Sequence, residues 1–370
     1  MSSEAPAPQP QPPLIKGRGS HRRLAHRFEA TQRDAFDDGW GGMQAQQLQH
    51  EEAPAPRTIV IHEPARSILC SNQSPDIGFE RSINPYRGCE HGCSYCFARP
   101  THSYLNLSPG LDFETHIVAK TNAAELLREA LARPGFAPRP LCLGVATDAY
   151  QPIERELRIT RGLLEVLAEA RHPVSLITKS ALVMRDLDVL GSMAAQRQAA
   201  VYVSLTTLDA GLARRLEPRA AAPHRRLQTI AALAQAGVPV GVSVSPVIPF
   251  LNEPELERIL QAAAEAGATR AFSIPLRLPW EVAPLFRQWL AQHEPLKAER
   301  IMARVQDMRG GRDNDPSFGS RMRGQGLWAE LLTQRFRKAC QRLGLQRVTH
   351  ELDYSAFRPP APVSGQGSLF

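Results

Sequence analysis

The sequence predicts an α/β protein built around a parallel sheet. Short runs of β-branched residues alternate with amphipathic segments along most of the chain, a pattern typical of parallel strands joined by crossover helices. Five or six β-α units follow one another in this way. Such a series fits a barrel or an open doubly wound sheet, because periodicity does not separate the two. In either architecture, ligands bind at the carboxyl ends of the strands.

The regular elements begin after an N-terminal arm. Residues 1–56 are rich in Pro, Gln and charge and have no sustained apolar period, so we expect an arm that is largely disordered or that orders on a partner. The predicted strands are Thr58–His62, Ile83–Tyr86, Thr115–Ala119, Leu141–Thr147, Val174–Thr178, Val201–Leu205, Val240–Val244 and Arg270–Ile274. The predicted helices between them are Ala123–Ala132, Arg161–Ala170, Pro223–Ala236 and Glu255–Ala266. Gly237 and Gly267 follow the last two helices, at positions that favour a helix C-cap.

Composition divides the rest of the chain into three further segments. We expect an α/β body at 57–295, a basic helical extension at 296–350 and a Pro-containing tail at 351–370. The extension includes a predicted helix at Leu327–Leu343. The predicted architecture is therefore an α/β body with an N-terminal arm and a C-terminal helical extension.

Basic residues cluster in two stretches. Between Lys297 and Arg347, twelve Lys and Arg residues stand against five Asp and Glu, a surplus that equals the net charge of +7. A second basic stretch runs from Lys16 to Arg27. Solvated surfaces would account for both stretches, whereas the alternative hypothesis is contact with an anionic partner such as nucleic acid.

Hydropathy and cysteine usage predict a cytoplasmic protein without a membrane partner. No apolar run approaches the ~18 residues of a membrane-spanning helix, and the first residues lack the basic and apolar regions of a signal peptide. In a reducing compartment, closely spaced cysteines indicate a metal site instead of disulfides. Three cysteines lie within eight residues: Cys89, Cys93 and Cys96. The other three are isolated, and we expect them to be small buried hydrophobes: Cys70, Cys142 and Cys340.

The clustered cysteines follow a predicted strand in a glycine-containing loop. Their spacing is Cys-x3-Cys-x2-Cys. Three thiolates can bind three irons of a 4Fe-4S cluster and leave the fourth iron free for the amino and carboxylate groups of S-adenosylmethionine (SAM). Gly88 and Gly92 would let backbone N–H groups approach the cluster sulfurs. The alternative is a zinc site in which His91 or His102 is the fourth ligand.

Polar residues come directly after several predicted strands. They are Thr147 and Asp148, Lys179 and Ser180, Ser204 with Thr206 and Thr207, and Ser243 with Ser245. Because the carboxyl ends of parallel strands meet at one edge of a sheet, we expect these side chains to converge beside the cysteine loop. Each of them alone could instead cap a helix or lie in a solvated loop. Together they predict a binding site at this edge.

The Cys-x3-Cys-x-aromatic-Cys pattern resembles the signature of the radical SAM superfamily, and residues 57–345 resemble its spore-photoproduct-lyase-like branch. The resemblance implies a partial (β/α)6-type barrel in which Cys89, Cys93 and Cys96 hold a 4Fe-4S cluster. It also implies that the reduced cluster cleaves SAM to a 5′-deoxyadenosyl radical, which abstracts hydrogen from a substrate. A reductant such as flavodoxin or ferredoxin is the implied electron donor.

The resemblance also assigns SAM contacts residue by residue. Tyr95 corresponds to the aromatic residue that packs beside the adenine, and Thr147-Asp148 to the hydroxyl-Asp pair nearest the methionine group. Lys179 corresponds to a lysine that touches the ribose or the carboxylate, and Ser204 to a serine that holds a ribose hydroxyl.

One position departs from the pattern of the lyases. They carry a hydrogen-donating cysteine directly before the hydroxyl-Asp pair, where this chain has Ala146. Cys142 lies four residues earlier, deeper in the predicted strand and on the same face. The resemblance thus supports radical chemistry better than it supports spore photoproduct as the substrate. Nucleic acid is the favoured substrate class. The alternatives are a peptide or small metabolite, or a non-catalytic, metal-stabilised nucleic-acid-binding module.

The last five residues resemble the bacterial sliding-clamp-binding pentapeptide at every position except Gly367. The matching residues are Gln366, Ser368, Leu369 and Phe370. Leu369 and Phe370 could insert together into an apolar pocket of a DNA sliding clamp. The alternative is a tail that happens to end in two apolar residues.

Overall fold

A computed structural model describes residues 15–29 and 56–361. The strands in these residues are β1 Ile59–Glu63, β2 Leu69–Ser71, β3 Arg81–Ile83, β4 Tyr86–Arg87, β5 His116–Lys120, β6 Leu141–Leu143, β7 Val174–Thr178, β8 Ala199–Ser204, β9 Val240–Val247 and β10 Arg270–Pro275. The longer helices are α1 Ala123–Ala132, α2 Ile159–Glu169, α3 Leu187–Ala195, α4 Pro223–Gln235, α5 Leu256–Glu265, α6 Val282–His293, α7 Ala298–Asp307 and α8 Gly326–Leu343. Shorter helical segments are Asp112–Thr115, Glu154–Leu157, Ala210–Leu216 and Ser320–Arg323, with 3-10 turns at Arg99–Leu105, Ala181–Asp186 and Glu253–Glu255.

Seven strands form the main sheet, in the order β10-β9-β8-β7-β6-β3-β2. Every neighbouring pair is parallel except β2 and β3. The six parallel strands follow one another in chain order, so the sheet winds in one direction as in a barrel and does not reverse as in a doubly wound sheet. Among the described residues β2 and β10 lie at opposite edges, and the structure is therefore the expected partial (β/α)6-type barrel. We call the carboxyl ends of its strands the mouth.

A second sheet of three strands lies beside the mouth, in the order β1-β5-β4. Strand β1 is parallel to β5, and β4 is antiparallel to it. Strand β4 ends at Arg87, directly before the cysteine loop. The small sheet therefore fixes the point at which that loop leaves the barrel.

The barrel core lies between the main sheet and its outer helices. Val201 and Val203 of β8 are fully buried, and so is Leu127 of α1. Helix α2 packs against α1 and buries Leu163 and Leu167 on the same side. Burial of each such side chain contributes about 1.5–3 kcal/mol, so the apolar spacing along the helices explains why they cover the sheet.

Most predicted elements agree with the structure in type and differ at some ends. The predicted strand Ile83–Tyr86 is wrong as a single strand, because Ile83 ends β3 of the main sheet and Tyr86 begins β4 of the second sheet. Gly237 and Gly267 follow α4 and α5 with φ values of 72° and 105°, which confirms the expected helix ends. Strand β6 ends at Leu143, four residues before the predicted end, because Gly144 adopts a φ of 86°. The residues from Ala146 onward therefore lie in the loop after β6.

The expectation for the isolated cysteines holds for two of them and is wrong for Cys70. Cys142 and Cys340 are buried, whereas Cys70 is exposed. Cys70 lies on the edge strand β2, whose other side has no neighbouring strand in the described residues. Sequence periodicity did not predict this short antiparallel strand.

The two ends of the chain differ in how they meet the barrel. Helix α8 packs on α5 and β10, as a helical extension. Residues 15–29 lie within the arm for which we expected disorder, yet they have a defined position against the barrel. The residues of the clamp-binding prediction, from Gln366 to Phe370, lie outside the described residues. No helix in the described parts of the chain is long and apolar enough to cross a membrane.

Candidate cofactor site

The three clustered cysteines lie on one loop, residues 88–98, at the mouth. Cys89 and Cys93 are buried and Cys96 is partly exposed. The Cys89 N–H donates to the carbonyl of Phe113 at 2.9 Å. Gly88 has a φ of 81°, and a Cβ there would lie 2.9 Å from the same carbonyl oxygen. The loop can therefore approach its neighbours only with glycine at this position.

A buried ion pair lies next to the cysteine loop and is hydrogen-bonded to it. Arg99 and Glu114 are both fully buried and bind each other through Nη2 and Oε1. The Arg99 Nε donates to the carbonyl of Cys93 at 2.9 Å, and its Nη1 to that of Gly110 at 2.8 Å. A planar guanidinium is suited to such a set of acceptors, because its donors have fixed directions. Arg99 thus links the backbone of Cys93 to that of Gly110.

Residues 15–29, which we call the strap, pack on the same ion pair. The Gly19 N–H donates to Glu114 Oε2 at 2.9 Å, and Arg18 Nη1 donates to the Glu114 carbonyl at 2.8 Å. A Cβ on Gly19 would lie 1.7 Å from the carbonyl oxygen of Gly92. Only glycine allows the two backbones to approach so closely, and the strap therefore rests directly on the cysteine loop.

The loop after β6 holds the cysteine loop from the other side. The Thr147 hydroxyl donates to the carbonyl of Gly88 at 2.6 Å, and Gln151 Nε2 donates to the Thr147 oxygen at 3.2 Å. The side-chain oxygen Oε1 of Gln151 accepts from the Glu90 N–H at 2.9 Å. The Glu90 carboxylate in turn accepts from the Ile153 N–H at 2.7 Å. The Thr147 hydroxyl therefore positions the cysteine loop by binding its backbone.

Asp148 joins the cysteine loop to the end of β7. Its carboxylate accepts from the Thr178 hydroxyl at 2.7 Å and the Lys179 N–H at 2.7 Å, and it lies 3.3 Å from His91 Nδ1. Burial by itself would raise the pKa of the Asp148 carboxyl, but His91 and these donors outweigh burial and hold that pKa well below its usual range. Asp148 is therefore ionised and fixes the position of Lys179.

Tyr95 belongs to a buried network at the ends of β8 and its neighbours. The Tyr95 hydroxyl donates to Glu217, which also accepts from the Thr206 hydroxyl at 2.6 Å and from the guanidinium of Arg226. Burial opposes ionisation of Glu217, but Arg226 and Lys179 lower its pKa to about 2. Arg226 Nη1 also donates to the carbonyl of Ser204 at 3.0 Å. The network fixes the tyrosine ring between the cysteine loop and the barrel.

Lys179 places a positive charge above this network. Its ammonium nitrogen lies 5.9 Å from the centre of the Tyr95 ring. Burial by itself would lower the Lys179 pKa, but nearby Cys93 and Glu217 raise it above its ordinary value. The lysine is therefore a cation beside the cysteine loop, at the place where a carboxylate could bind.

Three buried hydroxyls at the mouth are without a hydrogen-bond partner in the described part of the chain. They belong to Ser94, Ser243 and Ser245. Ser94 lies within the cysteine loop, and the other two lie on β9. Buried polar groups are normally hydrogen-bonded, so these hydroxyls are available to a polar molecule bound at the mouth.

A family model, described as the radical SAM superfamily, matches residues 83–263, which contain the cysteine loop and five of the six parallel strands in part or whole. The chain belongs to the radical SAM superfamily. Enzymes of this superfamily use a 4Fe-4S cluster and SAM.

Curated relatives and solved structures are similar to this chain. The uncharacterized protein Rv2578c of Mycobacterium tuberculosis is 37% identical over 280 residues, which are 73% of this chain and 80% of that protein. The uncharacterized protein MJ0683 of Methanocaldococcus jannaschii is 27% identical over 178 residues, 48% of this chain and 64% of that protein. Spore photoproduct lyase complexed with dinucleoside spore photoproduct matches with a TM-score of 0.56 and 16% identity, over 78% of this chain and 81% of the lyase. At this identity, the likeness to the lyase shows the fold alone.

The residues at the mouth fit both cofactors of a radical SAM enzyme. The cysteine loop offers three thiols, and burial raises the pKa of Cys93 to about 12. Bound iron would have to displace that proton, since thiolates are the ligands of iron–sulfur clusters. The cation of Lys179 and the unpartnered hydroxyls of Ser243 and Ser245 are suited to the carboxylate and ribose groups of SAM.

The zinc alternative finds less support, because neither candidate histidine is grouped with the cysteines as ligands of one metal ion in the described residues. His91 Nδ1 faces Asp148, and His102 Nε2 lies 3.0 Å from the carbonyl of His116. Within residues 15–29 and 56–361, no three His, Cys, Asp or Glu side chains are grouped to ligate one metal ion. A cubane cluster has a different requirement, because each thiolate binds its own iron.

The structure brings together most of the residues that the sequence singled out. Tyr95, Asp148 and Lys179 surround the cysteine loop, whereas Thr147 is hydrogen-bonded to its backbone. Ser204 is buried at the end of β8, and its carbonyl binds Arg226. Sequence reasoning missed five residues that hold this arrangement: Glu90, Arg99, Gln151, Glu217 and Arg226. Gln151 lies in the loop after β6, as Thr147 and Asp148 do, whereas Glu217 directly follows the helix Ala210–Leu216. Nothing local marks the two arginines.

Proposed function

We propose that the chain is a radical SAM enzyme that acts on nucleic acid. When bound, the reduced cluster and SAM supply a 5′-deoxyadenosyl radical able to abstract hydrogen from a carbon atom. One observation supports the substrate class. The strap, which carries five Lys and Arg residues against one acid, packs on the cysteine loop. Exposed Arg22 and Arg23 follow the contact at Gly19 by three and four residues and can bind phosphates.

The roles of the individual residues follow from their contacts. Cys89, Cys93 and Cys96 hold the cluster. Lys179 binds the carboxylate of SAM, and Tyr95 provides an aromatic surface beside it. Asp148 and Thr147 are positioning residues, because their side chains are occupied by His91, Lys179 and the loop backbone.

Spore photoproduct is a less suitable substrate than other nucleic-acid components. Ala146 packs against the cluster of Cys89, Ala98 and Phe113 and has no thiol from which hydrogen could be transferred. Cys142 is buried within β6, and burial raises the pKa of its thiol to about 11. A substrate radical would therefore have to be quenched by another donor.

A deuterium-transfer experiment tests the proposed function. The enzyme is reconstituted anaerobically, reduced, and given SAM with DNA or RNA purified from cells grown in deuterated medium. Mass spectrometry should find deuterium in the 5′-deoxyadenosine, because the abstracted atom comes from the nucleic acid. The Cys93→Ala variant is the control and should form no 5′-deoxyadenosine.

Two results would contradict the proposal. If 5′-deoxyadenosine acquires deuterium only from a deuterated peptide digest or metabolite extract, the substrate is a peptide or metabolite and not nucleic acid. Nucleic-acid binding with no cleavage of SAM by the iron-loaded enzyme would favour the non-catalytic, metal-stabilised binding module.

We also propose the cellular setting of the enzyme. A reducing cytoplasm keeps cluster cysteines as thiols and contains reductants such as flavodoxin or ferredoxin. The ending Gln366–Phe370 would attach the enzyme to a DNA sliding clamp. A peptide of residues 361–370 should bind purified clamp with a roughly micromolar constant, and Leu369→Ala with Phe370→Ala should abolish binding. If the intact peptide does not bind, the clamp proposal is wrong, and the proposed radical chemistry is unaffected.

A further inference from the structure

Three aromatic rings at the surface lie close together around one arginine. Phe28, Tyr104 and Trp280 are 52%, 71% and 65% exposed. The Phe28 and Tyr104 ring centres are 5.1 Å apart. The guanidinium carbon of Arg27 lies 4.3 Å from the centre of the Trp280 ring and 4.8 Å from that of Phe28. We call these four residues the aromatic platform. Exposed rings in a group indicate a binding surface, because isolated exposed side chains are common but contiguous patches are not.

The platform is assembled from three separate segments, all next to the cofactor site. Phe28 belongs to the strap, Tyr104 to the 3-10 turn directly after the cysteine loop, and Trp280 to the loop after β10. Glu281 fixes the arginine, because its carboxylate accepts from Arg27 Nη1 at 3.0 and 2.9 Å. The platform therefore borders the mouth and has a defined geometry without any partner.

A fourth exposed ring connects the platform to the cysteines. Phe97 directly follows Cys96, is 49% exposed, and has the guanidinium carbon of Arg277 5.7 Å from its ring centre. Arg277 follows the end of β10, three residues before Trp280. Its buried Nε has no hydrogen-bond partner within the described ranges. Aromatic and cationic groups thus border the mouth on the side where β10 ends.

We propose that unpaired bases of a nucleic-acid strand stack on the aromatic platform while a neighbouring nucleotide of the same strand enters the cofactor site. This inference rests on the proposed function. Flat aromatic rings and a guanidinium held by a carboxylate are suited to the faces of bases, and stacking of this kind does not depend on base identity. The neighbouring exposed cations, Arg22 and Arg23, complement the phosphates of the same strand. An apolar peptide would use the rings but would not complement the charge of Arg22, whereas Arg23 contacts Glu29 at 3.0 Å.

Binding of two short oligonucleotides to the full-length protein tests the platform. One probe is a fluorescein-labelled single strand of mixed sequence, and the other is an abasic strand with the same phosphates but no bases. The platform predicts that wild type binds the first probe more tightly. Tyr104→Ala and Trp280→Ala should each weaken its binding roughly tenfold, since one stacked base is lost, and should not change binding of the abasic strand.

Two control variants separate stacking from general damage. Trp280→Phe keeps an aromatic face and should keep most of the affinity. Val348→Ala removes an apolar side chain that is 67% exposed and should change the binding of neither probe. Val348 lies near Gln346, which pairs with the first residue of β10 at the opposite end of the barrel. Iron content of every variant after reconstitution shows whether the cysteine loop is intact.

The outcomes distinguish the platform from the proposed function. Equal affinity of wild type and the alanine variants, or equal loss for both probes, overturns the platform. Tighter binding of an aromatic peptide than of the oligonucleotide also overturns it. Deuterium transfer from nucleic acid to 5′-deoxyadenosine is measured independently, so it can succeed when stacking fails and can fail when stacking is observed.

Discussion

At the scale of single residues, the site depends on charges that are buried and paired. Lys179 is held by the ionised Asp148 through its backbone and faces Tyr95 with its ammonium group. Its charge is stabilised by the ionised Glu217 even though burial opposes it. The lysine is therefore positioned before any cofactor binds, which reduces the entropy lost on binding.

Replacement of Lys179 should impair SAM binding without loss of iron. Lys179→Ala removes a charge-assisted contact, so we expect SAM affinity to fall by about tenfold or more. Asp148→Ala should weaken SAM binding in the same direction, because it releases the backbone of Lys179. Equilibrium binding of SAM and iron analysis of the reconstituted protein measure both effects. Lys338→Ala, at an exposed position of α8, is the control, and normal SAM affinity in the Lys179 variant would contradict a role of Lys179 in the site.

Glu217 should make the stability of the cluster-free protein depend on pH. Its folded pKa of about 2 lies below the usual value of a glutamate, so its ionisation stabilises the folded state above about pH 4.5. This contribution, about 3 kcal/mol, is lost as the pH falls toward 2. The difference in unfolding free energy between wild type and Glu217→Gln should therefore shrink over this range. Urea unfolding at several pH values measures it. Glu156→Gln, at an exposed position, is the control, and a pH-independent difference would contradict the assignment.

At the scale of elements, the cysteine loop is held by segments from three directions. The strap contacts it through Gly19, the loop after β6 through Thr147, and the buried ion pair through Arg99. None of these segments contributes a cysteine. The geometry of the three thiols therefore depends on elements far from them in the chain.

The strap should be required for stable retention of iron. Gly19→Ala places a Cβ against the Gly92 carbonyl and should cost about 1–3 kcal/mol through overpacking, which displaces the strap or the loop. Iron should then be lost to a chelator several-fold faster than from wild type. Ala25→Ser, at an exposed position of the same strap, should behave as wild type. Equal rates of iron loss for Gly19→Ala and wild type would show that the strap does not support the loop.

At the scale of the whole molecule, the distribution of charge distinguishes the two ends of the barrel. The strap, which contacts the cysteine loop at Gly19, carries Arg22 and Arg23, whereas Arg133 lies in the connection from α1 to β6, at the opposite end. A nucleic acid bound across the mouth would contact the first two residues and leave the third in solvent.

The salt dependence of nucleic-acid binding should report this asymmetry. Arg22→Ala and Arg23→Ala should each reduce the slope of log affinity against log salt concentration by about one, with little change in sequence preference. Arg133→Ala should leave the slope unchanged. Fluorescence anisotropy over a series of salt concentrations gives the slopes. An equal effect of all three substitutions would indicate general charge attraction without a defined path across the mouth.

The sequence by itself determined the local elements and the superfamily. Helix α1 has the predicted bounds, and Gly237 and Gly267 end their helices as expected. The cysteine spacing identified the superfamily that the family model then showed. These features depend on residues that are close in the chain, so periodicity and spacing are enough to reveal them.

Tertiary structure decided how the site is supported. Gly19 and Glu114 are 95 residues apart, and Tyr95 and Glu217 are 122 apart, yet each pair is hydrogen-bonded. The sequential strand order, which makes the sheet a partial barrel, is likewise set by how the chain returns to the sheet. No local pattern records which distant residue will become a neighbour, because the contact forms only when the core packs. For the same reason, the ordered strap and its aromatic platform could not be predicted from an arm whose composition indicates disorder.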